Sequence, residues 1–320
     1  MEIAIVLNYA VLYFGIVFLG TISGIFSERV GIVNIAINGF LVFGAISYFA
    51  FSILFGSFIE YDKNEGLNPW YQIPIVILSS LSSGIFALLF GFATIKLKSE
   101  QTISGFALNI LSAGITGILI IFFITFQRAS SVTLPFKGEL AWNTYSGSFK
   151  NLVSLKVFLS VVIGFVCWFA LRKTRWGLRF RAIGENPQAA DVAGINVNAK
   201  KWQGVILAGI IAGVGGTIFA QSSPTVFSST KDVDGLGYIA LAIMITSRWR
   251  ISISVIVGLL FSLLISLATY GIIIFGEVYE PYKTLLKGLP YLITLILITF
   301  QSKNSFAPAA AGIPYDKSQR

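Results

Sequence analysis

Long apolar stretches alternate with short polar ones along most of this chain. A helix needs about 20 apolar residues to cross roughly 30 Å of hydrocarbon, and most of the stretches reach that length. The pattern predicts an all-α, polytopic integral membrane protein with about eight to ten transmembrane helices. The seventh stretch, 235–247, is too short to cross alone as a straight helix. The predicted spans are about 4–24, 31–58, 72–95, 101–126, 152–171, 202–221, 235–247, 251–275 and 288–301.

The composition supports a membrane protein and excludes several kinds of cysteine-based site. The chain is 55% hydrophobic and only 12% charged, whereas soluble proteins carry about 25% charged residues. It contains no histidine and one cysteine, Cys167, so a disulfide within the chain and a thiolate metal site are both excluded. We therefore expect the chain itself to bind no metal and no cofactor. The N-terminus has no basic segment before its apolar run, which favours a retained first span over a signal peptide.

The polar segments fall into two alternating sets of different charge. One set, with 27–30, 96–100, 172–201, 248–250 and the tail from 302, holds 15 basic and 5 acidic residues. The other set holds 8 basic and 9 acidic residues, and together the two sets account for the net charge of +9. By the positive-inside rule the first set is cytoplasmic, which places the N-terminus outside and the C-terminus in the cytoplasm. Topology alone explains the basic excess, so we expect no nucleic acid partner.

A compact polar segment, "IGENPQAADVAGI" at 183–195, interrupts this pattern within the basic set. Asn186 is a good N-cap and Pro187 suits the first position of a helix. Gly194 is a natural stop beyond the last turn. The sequence predicts a helix of about two turns at 187–193, inside the cytoplasmic loop 172–201. A helix this short is marginal alone, and residues alone leave open whether it binds a partner or only connects two spans.

Ionisable side chains are absent from the depth of every predicted span, but neutral polar ones are present. This absence speaks against a carrier driven by an ion gradient, which needs charge in the membrane interior. Asn34 and Asn38 are four residues apart and would share one helical face of the second span. Each asparagine could form an interhelical hydrogen bond or line a pathway for a polar, uncharged solute. The segments "GIVNIAINGF" and "GLGYIALAIM" share G-x-x-x-I-A, which is a weak sign of a repeat with a midplane site between its halves.

The polar segment and its surroundings resemble a known family. "KTRWGLRFRAIGENPQAADVAGINV" resembles the coupling-helix loop of ABC importer permeases of the branched-chain amino acid and ribose type. "SERVGIVNIAINGFLVFGA", "EQTISGFALNILSAGIT", "GLGYIALAIMITSRW" and "LPYLITLIL" resemble further blocks of that family in the same order. The tail "APAAAGIPYDKSQR" is similar to the closing segment of the nucleoside branch. Together these blocks cover roughly two-thirds of the chain.

The resemblance implies one transmembrane permease domain over 1–320, of the type II ABC importer kind, located in the plasma membrane. It implies transport of nucleosides by alternating access, with a ribose-like sugar or a branched-chain amino acid as alternative solutes. ATP and Mg²⁺ would be used by separate ATP-binding subunits, and the chain has no G-x-x-x-x-G-K-[ST] loop of its own. Further expected partners are membrane lipids, a second related permease, with a heterodimer favoured, and an extracellular substrate-binding lipoprotein. The outer loop 127–151 is the candidate surface for that lipoprotein.

The resemblance also assigns roles to individual residues. ATPase docking falls to the predicted short helix and its flanks: Glu185, Asn186, Pro187, Ala189, Ala190, Asp191, Ala193 and Gly194. The candidates for the substrate pathway are Asn34, Asn38, Ser104 and Asn109. The chain departs from the family where Asn38-Gly39 replaces a common Glu-Gly pair, and this change bears on which solute is carried.

Overall fold

The computed structural model describes residues 2–59, 66–128, 132–136, 151, 154–276, 281–301 and 307–316. The described residues form thirteen α-helices, which we number in chain order. They are α1 Glu2–Glu28, α2 Ile37–Phe58, α3 Gln72–Gly91, α4 Gln101–Gln127, α5 Leu155–Lys173, α6 Arg175–Glu185, α7 Pro187–Val192, α8 Val197–Ser222, α9 Pro224–Thr230, α10 Leu236–Thr246, α11 Ile251–Tyr270, α12 Ile272–Phe275 and α13 Lys283–Gln301. A π-helical turn, Phe92–Lys96, extends α3.

Seven of these elements are long and apolar enough to cross a membrane: α1, α2, α3 with its extension, α4, α5, α8 and α11. Two shorter apolar helices, α10 and residues 285–296 of α13, correspond to the seventh and ninth predicted spans. The predicted fold class, an all-α polytopic membrane protein, is confirmed. We call the end of the bundle that carries α6 and α7 the basic face, because the basic set of polar segments lies there.

The second span does not begin as a helix, contrary to the sequence prediction. Residues 29–36 form an irregular connector, and α2 starts only at Ile37. A Cβ on Gly20 of α1 would lie 3.5 Å from Ile37 Cγ2. Gly20 is eight residues before the end of α1, which is about 12 Å of helix. The first turn of α2 therefore lies well inside the bundle, away from the basic face.

The seventh span is broken as well. α8 ends at Ser222, and α9 turns back into the bundle, where Phe227 is fully buried against Phe49 of α2. α10 then continues to the basic face over only 11 residues. The short apolar stretch is thus one half of a discontinuous span. Its other half, α9, comes from a segment that the sequence assigned to an outer loop.

α8 is the central helix and packs closely against α1, α2 and α3. The closest approach is at Gly216, where a Cβ would lie 1.9 Å from the carbonyl oxygen of Leu41 in α2. Only glycine fits at this distance, as expected for small residues at transmembrane helix crossings. This tight crossing holds α2 beside α8 and fixes where the first turn of α2 lies.

Candidate functional site

The first turns of α2 and α10 meet inside the bundle, and we call this place the junction. A Cβ on Gly237 would lie 2.3 Å from Asn38 Cα and 2.5 Å from Asn38 N, both backbone atoms. No larger residue fits at position 237 without moving one of the two helices. The two discontinuous spans therefore touch through their backbones at the point where each helix begins.

Side chains from other helices satisfy the exposed N–H groups at the junction. The first N–H groups of a helix have no partner within it and need an external acceptor. Asn109 Oδ1, from α4, accepts the N–H of Gly39 at 2.7 Å. Asn38 Oδ1 accepts the N–H of Gly237 at 3.2 Å. The residues that precede α2 and α10 supply no side-chain cap of their own. Asn38 and Asn109 thus cap helices other than the ones that carry them.

Asn109 also links the connector to α10 through hydrogen bonds. Its Nδ2 donates to the carbonyl oxygen of Ile35 at 3.0 Å and to the hydroxyl of Tyr238 at 3.3 Å. One turn further along α4, Ser112 donates to the carbonyl oxygen of Gly39 at 2.9 Å. The amide of Asn109 therefore holds three groups in place and serves chiefly to position the two helix starts.

An acidic residue completes the junction. Asn38 Nδ2 donates to Asp232 Oδ1 at 2.9 Å, and the N–H of Gly235 donates to Asp232 Oδ2 at 3.0 Å. Asp232 lies outside every predicted span, so it does not contradict the absence of ionisable residues from the spans, but α9 folds back and brings its carboxylate to the first turn of α2. Sequence reasoning missed this residue for the same reason. The absence of ionisable residues from the predicted spans therefore does not extend to the residues that contact the junction.

Asn34 differs from the other two asparagines. It lies in the connector and not on α2, so the prediction that it shares a helical face with Asn38 is wrong. Its side chain is 0% exposed, and neither Nδ2 nor Oδ1 has a hydrogen-bond partner among the described residues. A buried amide without partners is unfavourable by about 1–3 kcal/mol. Asn34 is therefore the pathway candidate with unused hydrogen-bonding capacity.

Ser104 lies apart from the junction. Its hydroxyl donates to the carbonyl oxygen of Glu100 at 2.7 Å and lies 2.8 Å from the Ser99 hydroxyl, at the start of α4. The structure therefore brings Asn38 and Asn109 together and leaves Ser104 near the basic face.

The short helix α7 is built from local signals. The side chain of Asn186 accepts the N–H of Ala189 at 3.0 Å, and Pro187 occupies the first turn. At the other end, the N–H of Gly194 donates to Asp191 O at 2.9 Å and the N–H of Ile195 donates to Ala190 O at 3.0 Å. Both ends of the helix are thus closed by its own neighbours in sequence.

One side of α7 packs against the protein. Pro187 and Ala190 are buried, and Ala190 belongs to a small apolar cluster with Ile183 and Val197. Ala190 is only 4% exposed. Both side chains therefore hold α7 against its own chain, and their predicted place in the ATPase-docking helix stays a prediction.

The other side of α7 is open. Its exposed residues are Glu185, Asn186, Ala189, Val192, Ala193 and Gly194, and Asp191 is half-buried. Val192 is 77% exposed, although sequence reasoning did not single it out. A large apolar side chain this exposed on a capped helix in a polar loop is the signal that could have identified it.

Polar contacts join α7 to the connector. Glu185 lies 3.6 Å from Arg29, whose guanidinium also donates to the carbonyl oxygen of Trp249 at 3.0 Å. The tail contributes a further link, because the N–H of Ala310 donates to the carbonyl oxygen of Gly184 at 2.8 Å. The residues that precede α7 therefore contact the same connector that leads into α2.

No cluster of three or more metal-ligating side chains occurs in the part of the chain that the structure describes. The chemistry at the junction is that of amides, a carboxylate and a phenol. Such groups can donate hydrogen bonds to a polar solute and accept hydrogen bonds from it.

Comparison with known proteins assigns the chain to a family. Residues 6–297 match the family described as branched-chain amino acid transport system / permease component. No solved structure matches the chain.

Several individual proteins are similar over most of their length. The nucleoside ABC transporter permease protein NupC of Lactococcus lactis is 35% identical, over 93% of this chain and 92% of the relative. The guanosine ABC transporter permease protein NupQ of Bacillus subtilis is 30% identical, over 99% and 98%. A putative glucose ABC transporter permease protein, TsgC13 of Haloferax volcanii, is 26% identical, over 81% and 75%.

Proposed function

We propose that this chain, which belongs to the family of branched-chain amino acid transport system permease components, carries nucleosides across the plasma membrane. The chain is an ABC transporter permease subunit and a multi-pass membrane protein. The similarity to two permeases named for nucleosides and guanosine, over more than nine-tenths of the chain, supports the choice of solute. The similarity to the permease named for glucose is weaker and covers less of the chain.

The junction is the part of the proposed pathway that contacts the solute. Two discontinuous spans begin there, and such places form solute sites near the midplane of other transporters. Asn38, Asp232 and the phenol of Tyr238 offer donors, acceptors and an aromatic face to a base and its hydroxylated sugar. Asn34 would supply a further amide when the connector moves, because its side-chain amide has no hydrogen-bond partner among the described residues. Asn109 holds the helix starts, and Ser104 plays no part at this depth.

The exposed side of α7 binds the ATP-binding subunit in this proposal. Short helices commonly bind in a groove of their partner, and Val192 with the two alanines beside it forms an apolar patch that fits such a groove. ATP and Mg²⁺ would be bound and used by that subunit. The observation that supports this docking is the difference between the two sides of α7: one side packs against the permease, and the other exposes Ala189 and Val192.

Movement of α7 would reach the junction through the connector. Glu185 pairs with Arg29, which belongs to the connector. Ala310, which donates to the carbonyl oxygen of Gly184, lies beside Gly31 of the connector. That connector leads into the first turn of α2, which touches α10. Closure of the ATP-binding subunits would thus shift the two helix starts relative to each other and open the pathway to alternate sides.

The remaining assignments complete the transporter. The basic face would be cytoplasmic, with the N-terminus outside and the C-terminus inside. Two permease subunits, in a heterodimer, would form the pathway with two ATP-binding subunits. A lipoprotein would deliver the solute at the outer loop 127–151, most of which lies outside the described residues.

Uptake of labelled guanosine tests the proposed solute and the energy source. Cells with and without the chain are compared under an uncoupler and under ATP depletion. Uptake that requires the chain, survives the uncoupler and stops with ATP loss is expected. Uptake that collapses with the ion gradient while ATP is constant would refute ATP coupling. Absent guanosine uptake with ATP-dependent uptake of ribose or leucine would reassign the solute to sugars or amino acids.

A matched pair of variants tests the docking helix. Ala189 and Ala199 are both exposed, and each N–H is accepted by an asparagine cap three residues earlier at 3.0 Å. Ala189→Arg should abolish solute-stimulated ATP hydrolysis by the assembled transporter, because arginine does not fit a groove shaped for alanine. Ala199→Arg should leave it unchanged. Equal effects of the two variants would remove α7 as the docking helix.

A further inference from the structure

A cavity of about 390 Å³ opens at the basic face beside the membrane-facing surface of α5. It lies between the end of α1, the end of α5, α6 and the start of α11. Four arginines contribute to its wall, and none of the proposed functions above uses it. They are Arg29, Arg172, Arg181 and Arg250.

The positive charge in this cavity is poorly compensated by the protein. Among the described residues, Arg29 is the one member of the four with an acidic partner, Glu185 at 3.6 Å. Within the described part of the chain, Arg181 donates to the carbonyl oxygen of Gly177, at 3.4 Å, and pairs with no carboxylate. Burial lowers the pKa of Arg29, Glu185 opposes this, and the neighbouring Arg181 and Arg250 lower it further. Four guanidinium groups facing one space repel each other unless an anion lies between them.

The start of α11 adds to the positive potential. Ile251, Ser252 and Ile253 line the cavity, and no side chain caps this end of the 20-residue helix. The N-terminus of a helix carries a partial positive charge and presents free N–H groups. The cavity therefore combines fixed positive charge with backbone donors, a combination that suits a phosphate group.

The rest of the wall is apolar and continues toward the lipid-facing surface. Ile25, Trp168 and Leu171 line the cavity together with the arginines. Phe165 and Phe169, which lie on α5 with Trp168 and Leu171, expose large side chains on the outside of the bundle. Tryptophan is typical of the level where headgroups meet hydrocarbon. A ligand that fills this cavity would meet charge at one end and an apolar surface at the other.

We infer that this cavity binds the phosphate headgroup of an anionic phospholipid. The arginines and the start of α11 hold the phosphate, and the acyl chains lie along α5 beside Trp168. Basic pockets between transmembrane helices at the cytoplasmic side recognise anionic headgroups in this way. A free phosphate ion would satisfy the same donors but would gain nothing from the apolar wall.

The bound lipid would also stabilise the contacts next to the docking helix. Arg29 belongs both to the cavity and to the link between Glu185 and the connector. Neutralising its neighbours reduces the repulsion on Arg29 and favours that link. The proposal stands independently of which solute the transporter carries.

Native mass spectrometry of the full chain in detergent tests the site. Phosphatidylglycerol should remain bound in preference to phosphatidylcholine. The variant Arg172→Gln with Arg250→Gln should lower the affinity for phosphatidylglycerol by about tenfold or more, since each basic residue near a headgroup contributes a severalfold effect. The control, Lys173→Gln with Arg175→Gln, removes the same charge from exposed residues that do not line the cavity and should change the affinity by less than about twofold.

Any of four outcomes would overturn the proposal. Equal retention of the two lipids, or equal loss in both double variants, would show that no specific site exists. Protection against thermal unfolding by inorganic phosphate as strong as that by phosphatidylglycerol would assign the cavity to a soluble anion. Unchanged lipid affinity in Arg172→Gln/Arg250→Gln, together with lost binding of the ATP-binding subunit, would assign the arginines to that partner.

Discussion

Helices begin both at the start of α7 and at the junction of α2 with α10, but the hydrogen-bond acceptors for their first turns come from different parts of the chain. Each must supply an acceptor for the N–H groups in the first turn of a helix. At α7, Asn186 caps the helix that follows it directly, at 3.0 Å. At the junction, the N–H of Gly39 is accepted by a residue 70 positions away, and that of Gly237 by one 199 positions away.

The difference follows from the surroundings of the two places. α7 lies at the surface, where water can satisfy any group that the local cap leaves free. The junction lies inside the bundle, where an unsatisfied backbone group costs several kcal/mol and only protein groups can pair with it. A helix that begins in the membrane interior therefore depends on its neighbours, and movement of those neighbours can change it. This dependence suits a site that must alternate between two states.

The largest expected effect comes from Gly237→Ala, which removes the close approach of α10 to α2. The added Cβ would lie 2.3 Å from Asn38 Cα, so one helix start must shift and both remote caps are disturbed. The free energy of unfolding should fall by about 3 kcal/mol or more. Thermal unfolding in detergent measures this, with Gly114→Ala in α4 as control, because nothing lies within 4 Å of a Cβ there. Similar midpoints for the two variants would contradict the packing at the junction.

The next effect separates the partnered asparagine from the unpartnered one. Asn109→Leu leaves three buried groups without their hydrogen bonds and should lower the free energy of unfolding by about 2 kcal/mol. Asn34→Leu removes an amide that has no partner among the described residues, so stability should be unchanged or higher. Thermal unfolding distinguishes the two variants.

Transport by the same variants completes that comparison. Asn34→Leu should fold normally and lose uptake, because the proposed solute contact is gone. A variant with normal uptake would exclude Asn34 from the pathway. A clear loss of stability in Asn34→Leu would instead show that the amide has a structural partner.

A smaller, local effect is expected at the asparagine caps of the basic face. Asn186→Ala and Asn196→Ala each remove one cap hydrogen bond of 3.0 Å, worth about 1 kcal/mol. α7 has 6 residues and α8 has 26, so the first change should unfold its helix and the second should only fray an end. Hydrogen exchange of the amides in α7 and uptake measure the difference. Equal loss of uptake would mean that the order of α7 is not needed.

The smallest effect is the pH dependence of a local cap at the start of α4. Hydrogen bonds from the backbone of Ile103 and from Thr102 hold the pKa of Glu100 below the ordinary value of 4.5. The stabilisation is therefore present above that value and is lost as the pH falls through the lowered pKa of the folded state. The advantage in thermal midpoint of wild type over Glu100→Gln should shrink on acidification. A constant difference would show that the charge contributes nothing. The Asn109 cap, which bonds to two backbone groups and a phenol, should show no such dependence.

Much of this fold could be predicted because it depends on short-range properties. The length of each apolar run predicts a span. The charge of the polar segments alternates along the chain, and this divides them into two sets. The start and end of α7 follow from Asn186, Pro187 and Gly194, whose backbone preferences act within a few residues. The family blocks likewise depend on residue order alone.

The candidate site could be predicted only in part. Asn38 and Asn109 were identified as polar residues in apolar surroundings, but their partners lie on other helices. Asp232 was assigned to an outer loop, since nothing local indicates that α9 folds back into the bundle. Ala190 and Ala189 are adjacent and chemically identical, and only the packing of Ile183 and Val197 decides which of them is buried.

The sequence by itself determined the class of protein, the approximate positions of most of its spans, its family and the short capped helix, because these follow from local composition and from order along the chain. Only the tertiary structure decided where α2 begins, which side of α7 is free, and how four arginines from separate segments come to line one cavity. Those features depend on pairs of groups far apart in sequence, whose free energy is set by burial and by the partners that the fold brings within hydrogen-bonding distance.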